Sequence, residues 1–169
     1  MSAARTEDRI LSSAMILFVE QGYYATSVPD IVRHSRTSTG AVYHHFGSKE
    51  ELARQLHEQV VAEFMESAEI RVLAVSGARD RLRAFVHLLF TLADTDPHRV
   101  SYLLHARPRV VVDGEFTICS REGFQITLQI VETGILKGEI RAADPRVLCW
   151  LVSGTIIRMT TPSLEDLLP

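Results

Sequence analysis

The chain reads as all-α, with a three-helix head over residues 1–47 followed by a helical body over residues 48–169. Two observations predict this. Leucine, alanine and valine recur at helical spacing with few β-branched runs, and only six prolines and nine glycines interrupt 169 residues. Helix-start signals also punctuate the chain: Ser27 with Asp30, Ser38, Ser48 with Glu51, Asp96-Pro97 and Asp144-Pro145. A hydrophobic share of 46% against 23% charged is that of a globular protein able to bury a core.

Met1 to Arg5 reads as a loose arm. Thr6 can cap a first helix that carries Ile10, Ala14, Leu17 and Phe18 on one face. Gly22 follows where a left-handed cap would end it, and Tyr23 can fold back onto the apolar stripe. Ser27 and Asp30 then frame the start of a second helix, with Pro29 in its first turn, where a missing N–H costs nothing. Val28, Ile31 and Val32 form its apolar face. The pattern halts at Ser35-Arg36-Thr37 and restarts at Ser38, which can cap a third helix through Val42 to Phe46. Two short helices across a tight turn make a helix-turn-helix.

The outer face of that third helix suits a DNA groove. Thr37, Ser38, Thr39, Tyr43 and His44 can donate hydrogen bonds, while Gly40 and Ala41 leave room for close backbone approach. Between Asp30 and Glu50 there is no acidic residue, and the interval holds Arg33, Arg36, Lys49 and three histidines. A phosphate backbone favours such a surface, and a net charge of −3 for the whole chain does not oppose it. Ser48 and Glu51 predict a reciprocal capping box at the next helix, beside Lys49.

That helix carries Leu52, Leu56, Val60 and Phe64 at four-residue intervals and should run toward Val72, before Ser76-Gly77, so it belongs to head and body both. Leu82, Phe85, Val86, Leu89 and Leu92 mark another from Ala78 to Ala93. Asp96-Pro97 starts a short one through Val100, Leu103 and Leu104, interrupted at Arg107-Pro108; Arg109 to Gly114 reads as irregular or extended. A helix from about Glu115 to Leu136 is apolar on more than one face. Asp144-Pro145 opens the last, with Val147, Leu148, Leu151, Val152, Ile156 and Met159 on one broad face, Trp150 and Ile157 elsewhere, and Thr161-Pro162 as its end. Surplus apolar surface on two neighbouring helices predicts a four-helix seam between two copies of the chain.

The stretch Thr26 to Leu52 resembles the DNA-binding motif of the tetracycline-repressor (TetR) family of bacterial transcriptional regulators, at Thr26-Ser27-Val28, Ile31, Ser38, Gly40, Tyr43, Phe46 and Ser48-Lys49-Glu50, with Gly22-Tyr23 upstream. The segment Lys137 to Pro145 resembles the family's ending. The resemblance implies that Thr26, Tyr43 and Lys49 touch phosphates while Thr37, Ser38, Thr39 and His44 face the groove, with Ser27 and Gly40 in the same interface. It implies a homodimer on a palindromic duplex operator, and a repressor released by a small effector held in the body. The departures are Val32 and Ser35 where the pattern has alanine, Arg36 where it has glycine and Thr37 where it has valine. An arginine at positive φ costs about 1–2 kcal/mol, so the turn is expected to be rebuilt here.

By the same resemblance an apolar pocket would draw on Phe64, Leu89, Phe90, Tyr102, Leu103, Phe116 and Cys119, with His105 or His87 supplying polarity. Nothing groups His87, His105, Cys119 and the acids into catalytic machinery, and the seven histidines show no HExxH spacing, so neither enzyme nor metal site nor cofactor is expected. The two cysteines read as buried thiols of a reducing cytoplasm. Apolar runs stop short of spanning length and the N-terminus lacks a signal peptide's apolar centre, which predicts a cytoplasmic protein without membrane association. The competing reading is an architectural or protein-interaction helix-turn-helix module without ligand control.

Overall fold

A computed structural model describes residues 3–105 and 122–164. Eight α-helices make up the described chain: α1 Ala3–Glu20, α2 Val28–Ser35, α3 Thr39–Phe46, α4 Lys49–Ala68, α5 Ala78–Thr95, α6 Pro97–His105, α7 Glu122–Leu136 and α8 Pro145–Leu164. A π-helical turn, Glu69–Leu73, closes α4. The expected irregular stretch Arg109 to Gly114 and the start of α7 near Glu115 lie outside the described residues. The chain divides into two compact units, and the division falls between Val60 and Val61, inside α4.

In the first unit α1, α2 and α3 pack on one another around Ile10, Ala14, Phe18, Ile31, Val42 and Phe46, all buried. Each such side chain contributes about 1.5–3 kcal/mol by leaving water. Leu52, Ala53 and Leu56 of α4 are buried in the same unit, supplying apolar surface that a three-helix head alone lacks. Tyr23 does fold back, its ring edge-on to Phe18 at 5.2 Å. Gly22 takes the left-handed conformation expected of it, φ 86°. The first helix starts at Ala3, one turn earlier than a Thr6 cap would allow.

The second unit is built on α5, whose Phe85, Leu88 and Leu89 are buried. It packs against α7, α8 and the π turn. Phe64 meets Phe85 at 6.4 Å, and Arg99 joins Glu63 of α4 to Asp96 before α6. Asp96 caps α6 as expected, accepting from the Arg99 N–H at 3.0 Å. The N-cap of α5 is Gly77, which has no side chain to offer. The Glu139 carboxylate fills that role by accepting the Ala78 N–H at 2.5 Å. Close approach there needs Gly134, since a Cβ on it would lie 2.7 Å from both Ala78 Cβ and Ile140 Cδ1.

Two expectations about α8 are corrected. The helix passes Pro162 and continues to Leu164, because proline's fixed φ suits a helix even as it removes one donor. Its inward face is Cys149, Ser153 and Ile156, while Val147, Trp150 and Leu151 are exposed, so the apolar stripe is turned relative to the expected one. Trp150 still rests partly on Phe124, 5.1 Å between rings. Burial pushes the Cys149 thiol up to about 11, and its Sγ donates to the Phe124 carbonyl, which fits an inert buried thiol. Cys119 lies outside the described residues.

Candidate nucleic-acid interface

Local chemistry fixes α2 and α3. The Ser27 hydroxyl accepts the Asp30 N–H at 3.3 Å and the Asp30 carboxylate accepts the Ser27 N–H at 3.0 Å, a complete capping box. Hydrogen bonds from Ser27 hold the Asp30 carboxyl below its ordinary value. Ser38 caps α3 by accepting the Ala41 N–H at 3.1 Å. Val42 and Phe46, one turn apart, bury the inner face of α3. Thr39, Gly40, Tyr43 and His44 are left exposed, as is Ser38, and Thr37 is half-buried against Ser35 through a 2.7 Å hydroxyl contact. His45 turns the other way, 3.7 Å from the Glu7 carboxylate of α1.

The turn is not rebuilt. Arg36 takes the left-handed conformation, φ 52° and ψ 45°, alone among the described non-glycine residues. Its N–H reaches the Arg33 carbonyl and the Thr37 N–H reaches the Val32 carbonyl, the two bonds of a Schellman ending. Arg9 of α1 then places its guanidinium on the carbonyls of Ser35 and Arg36, the latter at 2.9 Å. These bonds hold an arginine where glycine would be strain-free.

Two of the expected phosphate contacts have their polar groups used inside the head. Thr26 is 1% exposed, and its hydroxyl donates to the Gly22 carbonyl at 2.8 Å while receiving the Gln21 amide. The Lys49 ammonium donates to the carbonyls of Tyr23, 2.9 Å, and Thr26, 2.8 Å, and sits 4.1 Å from the Tyr23 ring centroid. Together they pin the loop between α1 and α2 to the start of α4. Tyr23 in turn donates to Glu50, and burial with that carboxylate pushes its hydroxyl up to about 12. The Ser48 box forms by half: Ser48 accepts the Glu51 N–H at 3.0 Å, but the Glu51 carboxylate binds Arg54 and Gln55, and the Ser48 N–H goes to the Phe46 carbonyl.

The residues expected around a pocket are placed less completely. Phe64, Leu89, Tyr102 and Leu103 are buried in the second unit and Phe90 is half-buried. His87 is exposed, paired with Thr91 at 3.0 Å, so it turns away from that core. His105 ends α6, and its side chain, like Phe116 and Cys119, lies outside the described residues. No described helix is long and apolar enough to cross a membrane.

Sequence reasoning missed Arg9, Tyr24 and the inward turn of Lys49. Tyr24 is 72% exposed next to the loop that Lys49 pins, and only its place beside Tyr23 could have drawn attention to it. Arg9 carried no signal, since its partners are 26 and 27 residues away.

Residues 10–56 match the model of bacterial regulatory proteins, tetR family. The chain is 25% identical over 149 residues to the HTH-type transcriptional regulator HbdR of Aromatoleum sp. (strain CIB), a match spanning 85% of this chain and 64% of that protein. It is 28% identical over 148 residues to the HTH-type transcriptional repressor KstR2 of Rhodococcus jostii (strain RHA1), spanning 83% and 70%. In fold it is similar to AibR, solved in complex with isovaleryl coenzyme A and operator DNA, with a TM-score of 0.76, 23% identity, and coverage of 96% of this chain and 93% of that one.

Proposed function

We propose that this chain, a member of the tetR family of bacterial regulatory proteins through its residues 10–56, is a homodimeric, sequence-specific transcriptional repressor released from a palindromic operator by a small, largely apolar effector. Residues 1–47 are the reading head and residues 48–169 the effector-binding and dimerising body. The observation that carries the reading is the exposed face of α3, where Ser38, Thr39, Gly40, Tyr43 and His44 stand clear of the core on a helix capped and packed from behind. Ser27 and Thr37 flank that face. Thr26 and Lys49 serve it by holding the loop and the start of α4 in place. Tyr43 positions the head on phosphates, and Thr39 and His44 read base edges.

Exposed Val147, Trp150 and Leu151 supply the apolar surface for dimerisation. Buried Phe64, Leu89, Tyr102 and Leu103 with half-buried Phe90 supply apolar walls for the effector. AibR is solved with isovaleryl coenzyme A, whose short acyl group is the small apolar part that such walls would hold, so short acyl groups carried on coenzyme A are the first effectors to try. The chain binds and releases, and carries no catalytic role. The test is to select duplexes from random sequence, footprint the winner, and titrate it against an acyl coenzyme A series. A twofold footprint with half-sites about one helical turn apart, weakened by one of these thioesters, is the expected result. Binding without sequence preference would replace the repressor with an architectural protein, and an operator affinity unmoved by every thioester would remove that effector class.

A further inference from the structure

Between Asp30 and Glu50 the chain carries three lysines and arginines and no acid, yet the structure turns one of those cations inward and pairs another at the surface. Arg33 makes only a surface pair with Asp30 at 3.3 Å, its side chain 77% exposed, whereas Lys49 is held by the Tyr23 and Thr26 carbonyls. Arg36 is exposed, and among the described residues its guanidinium has no partner. It also sits at φ 52°, a conformation that disfavours most residues with a Cβ, two positions before the Ser38 cap of α3. Arg9 spends its guanidinium on the carbonyls of Ser35 and Arg36, anchoring that strained turn to α1. An uncommitted cation kept on an anchored, strained turn beside a groove-reading helix has its use outside the chain.

We infer that Arg36 is a DNA-phosphate contact of the head, with Arg9 as the residue that positions it. The inference rests on the DNA-binding reading above and assigns to Arg36 the phosphate contact that the commitment of Lys49 leaves open. Arg36 stands at the end of α2, where its five donors can fork onto phosphate oxygens. The contact carries no base information, so it strengthens every sequence alike. Its signature separates charge from backbone. Replacing Arg36 by glycine removes one counterion-releasing contact and also relieves the turn, so DNA affinity falls while stability does not.

The experiment uses the full chain, a labelled short duplex of random sequence, and salt titrations of wild type, Arg36→Gly, Arg36→Asn and Arg36→Lys, each with a thermal melt. Glycine and asparagine accept positive φ and lack the charge; lysine keeps the charge. The expected result for Gly and Asn is a slope of log K against log salt shallower by about 0.9 per bound protomer, an affinity loss at 0.1 M salt of about eightfold per bound protomer, or about 60-fold for a dimer, that shrinks toward parity near 1 M, and a Tm at or above wild type. Lys should keep the wild-type slope. Wild-type slopes for Gly and Asn would overturn the inference, as would a Lys slope as shallow as theirs, which would trace the effect to turn geometry. A wild type that binds no duplex at any salt would remove the DNA-binding reading itself, an outcome distinct from either.

Discussion

The outward faces of α3 and α8 both stand exposed, and only that of α8 adds aliphatic side chains to its polar ones. On α3 the exposed residues are hydroxyls, an imidazole, a phenol and a glycine, over a buried Val42 and Phe46. On α8 the apolar Val147, Trp150 and Leu151 stand exposed beside Arg146, Gly154, Thr155 and Arg158, over a buried Cys149, Ser153 and Ile156. The inner faces do the same work of apolar burial in both helices. What a helix leaves uncovered is therefore the better guide to its partner: hydrogen-bond donors suit a hydrated polyanion, and apolar side chains suit the second copy proposed above. The comparison predicts that inner-face changes cost stability in either helix, while outer-face changes cost only the matching partner.

The largest expected effect is on an inner face. Phe46→Ala should cost about 3–5 kcal/mol by emptying the head core, so chemical denaturation should show an earlier transition and DNA binding should be lost with it. On the outer face of α8, Leu151→Asp should raise the dimer dissociation constant by at least about 30-fold, as for a disrupted hot spot. Sedimentation would show it, and a monomer as stable as the parent subunit would confirm that this face holds no core. If the dimer survived intact, the second copy would not be what covers α8. Smaller again, Thr39→Ala should change preference at particular base pairs by about 1–3 kcal/mol while Tyr43→Phe weakens all sequences alike, measured by competition among duplex variants. A reversal of the two would exchange their roles.

The smallest effect concerns the frame beneath the reading face. Hydrogen bonds from Arg54 and Gln55 hold the Glu51 carboxyl at about 2, below its unfolded value of 4.5. A depressed carboxyl contributes stability that is present above the unfolded pKa and lost as pH falls through the folded one. Melts of wild type and Glu51→Gln should therefore differ slightly at pH 6, and the difference should close between about pH 4.5 and pH 2. A gap that stayed constant across that window would show that Glu51 acts by something other than its charge.

The parts of the fold legible in the sequence are those decided within a few residues. Ser27, Ser38 and Asp96 cap helices because hydroxyls and carboxylates reach N–H groups three residues on, and no later packing changes that geometry. The exposed face of α3 follows from the same local phase. Lys49 was legible as a cation but not as a committed one, because the carbonyls it binds belong to a loop 23 and 26 residues earlier. The turn at Arg36 was misjudged for a related reason: local cost argued for rebuilding, and Arg9, 27 residues back, holds the strained form. On α8 the apolar residues surround the helix so fully that periodicity could not choose which side faces inward, and packing against α7 and α5 chose it.

The bond from the Ala78 N–H to the Glu139 carboxylate joins residues 61 apart in the chain. During synthesis α5 emerges long before Glu139 does, and with a glycine at its N-cap its first turn has no local side chain to close it. The first unit has no such wait over Met1–Val60, where Ser27 and Ser38 cap their helices within three residues and the side-chain hydrogen bonds of Tyr23 and Arg9 span 27. Assembly should accordingly be staggered, with the head settling on short loops while the opening of α5 stays frayed until the α7–α8 connection arrives to complete it. In pulsed hydrogen exchange during refolding, the Ala78 amide should gain protection later than the amides of α2 and α3.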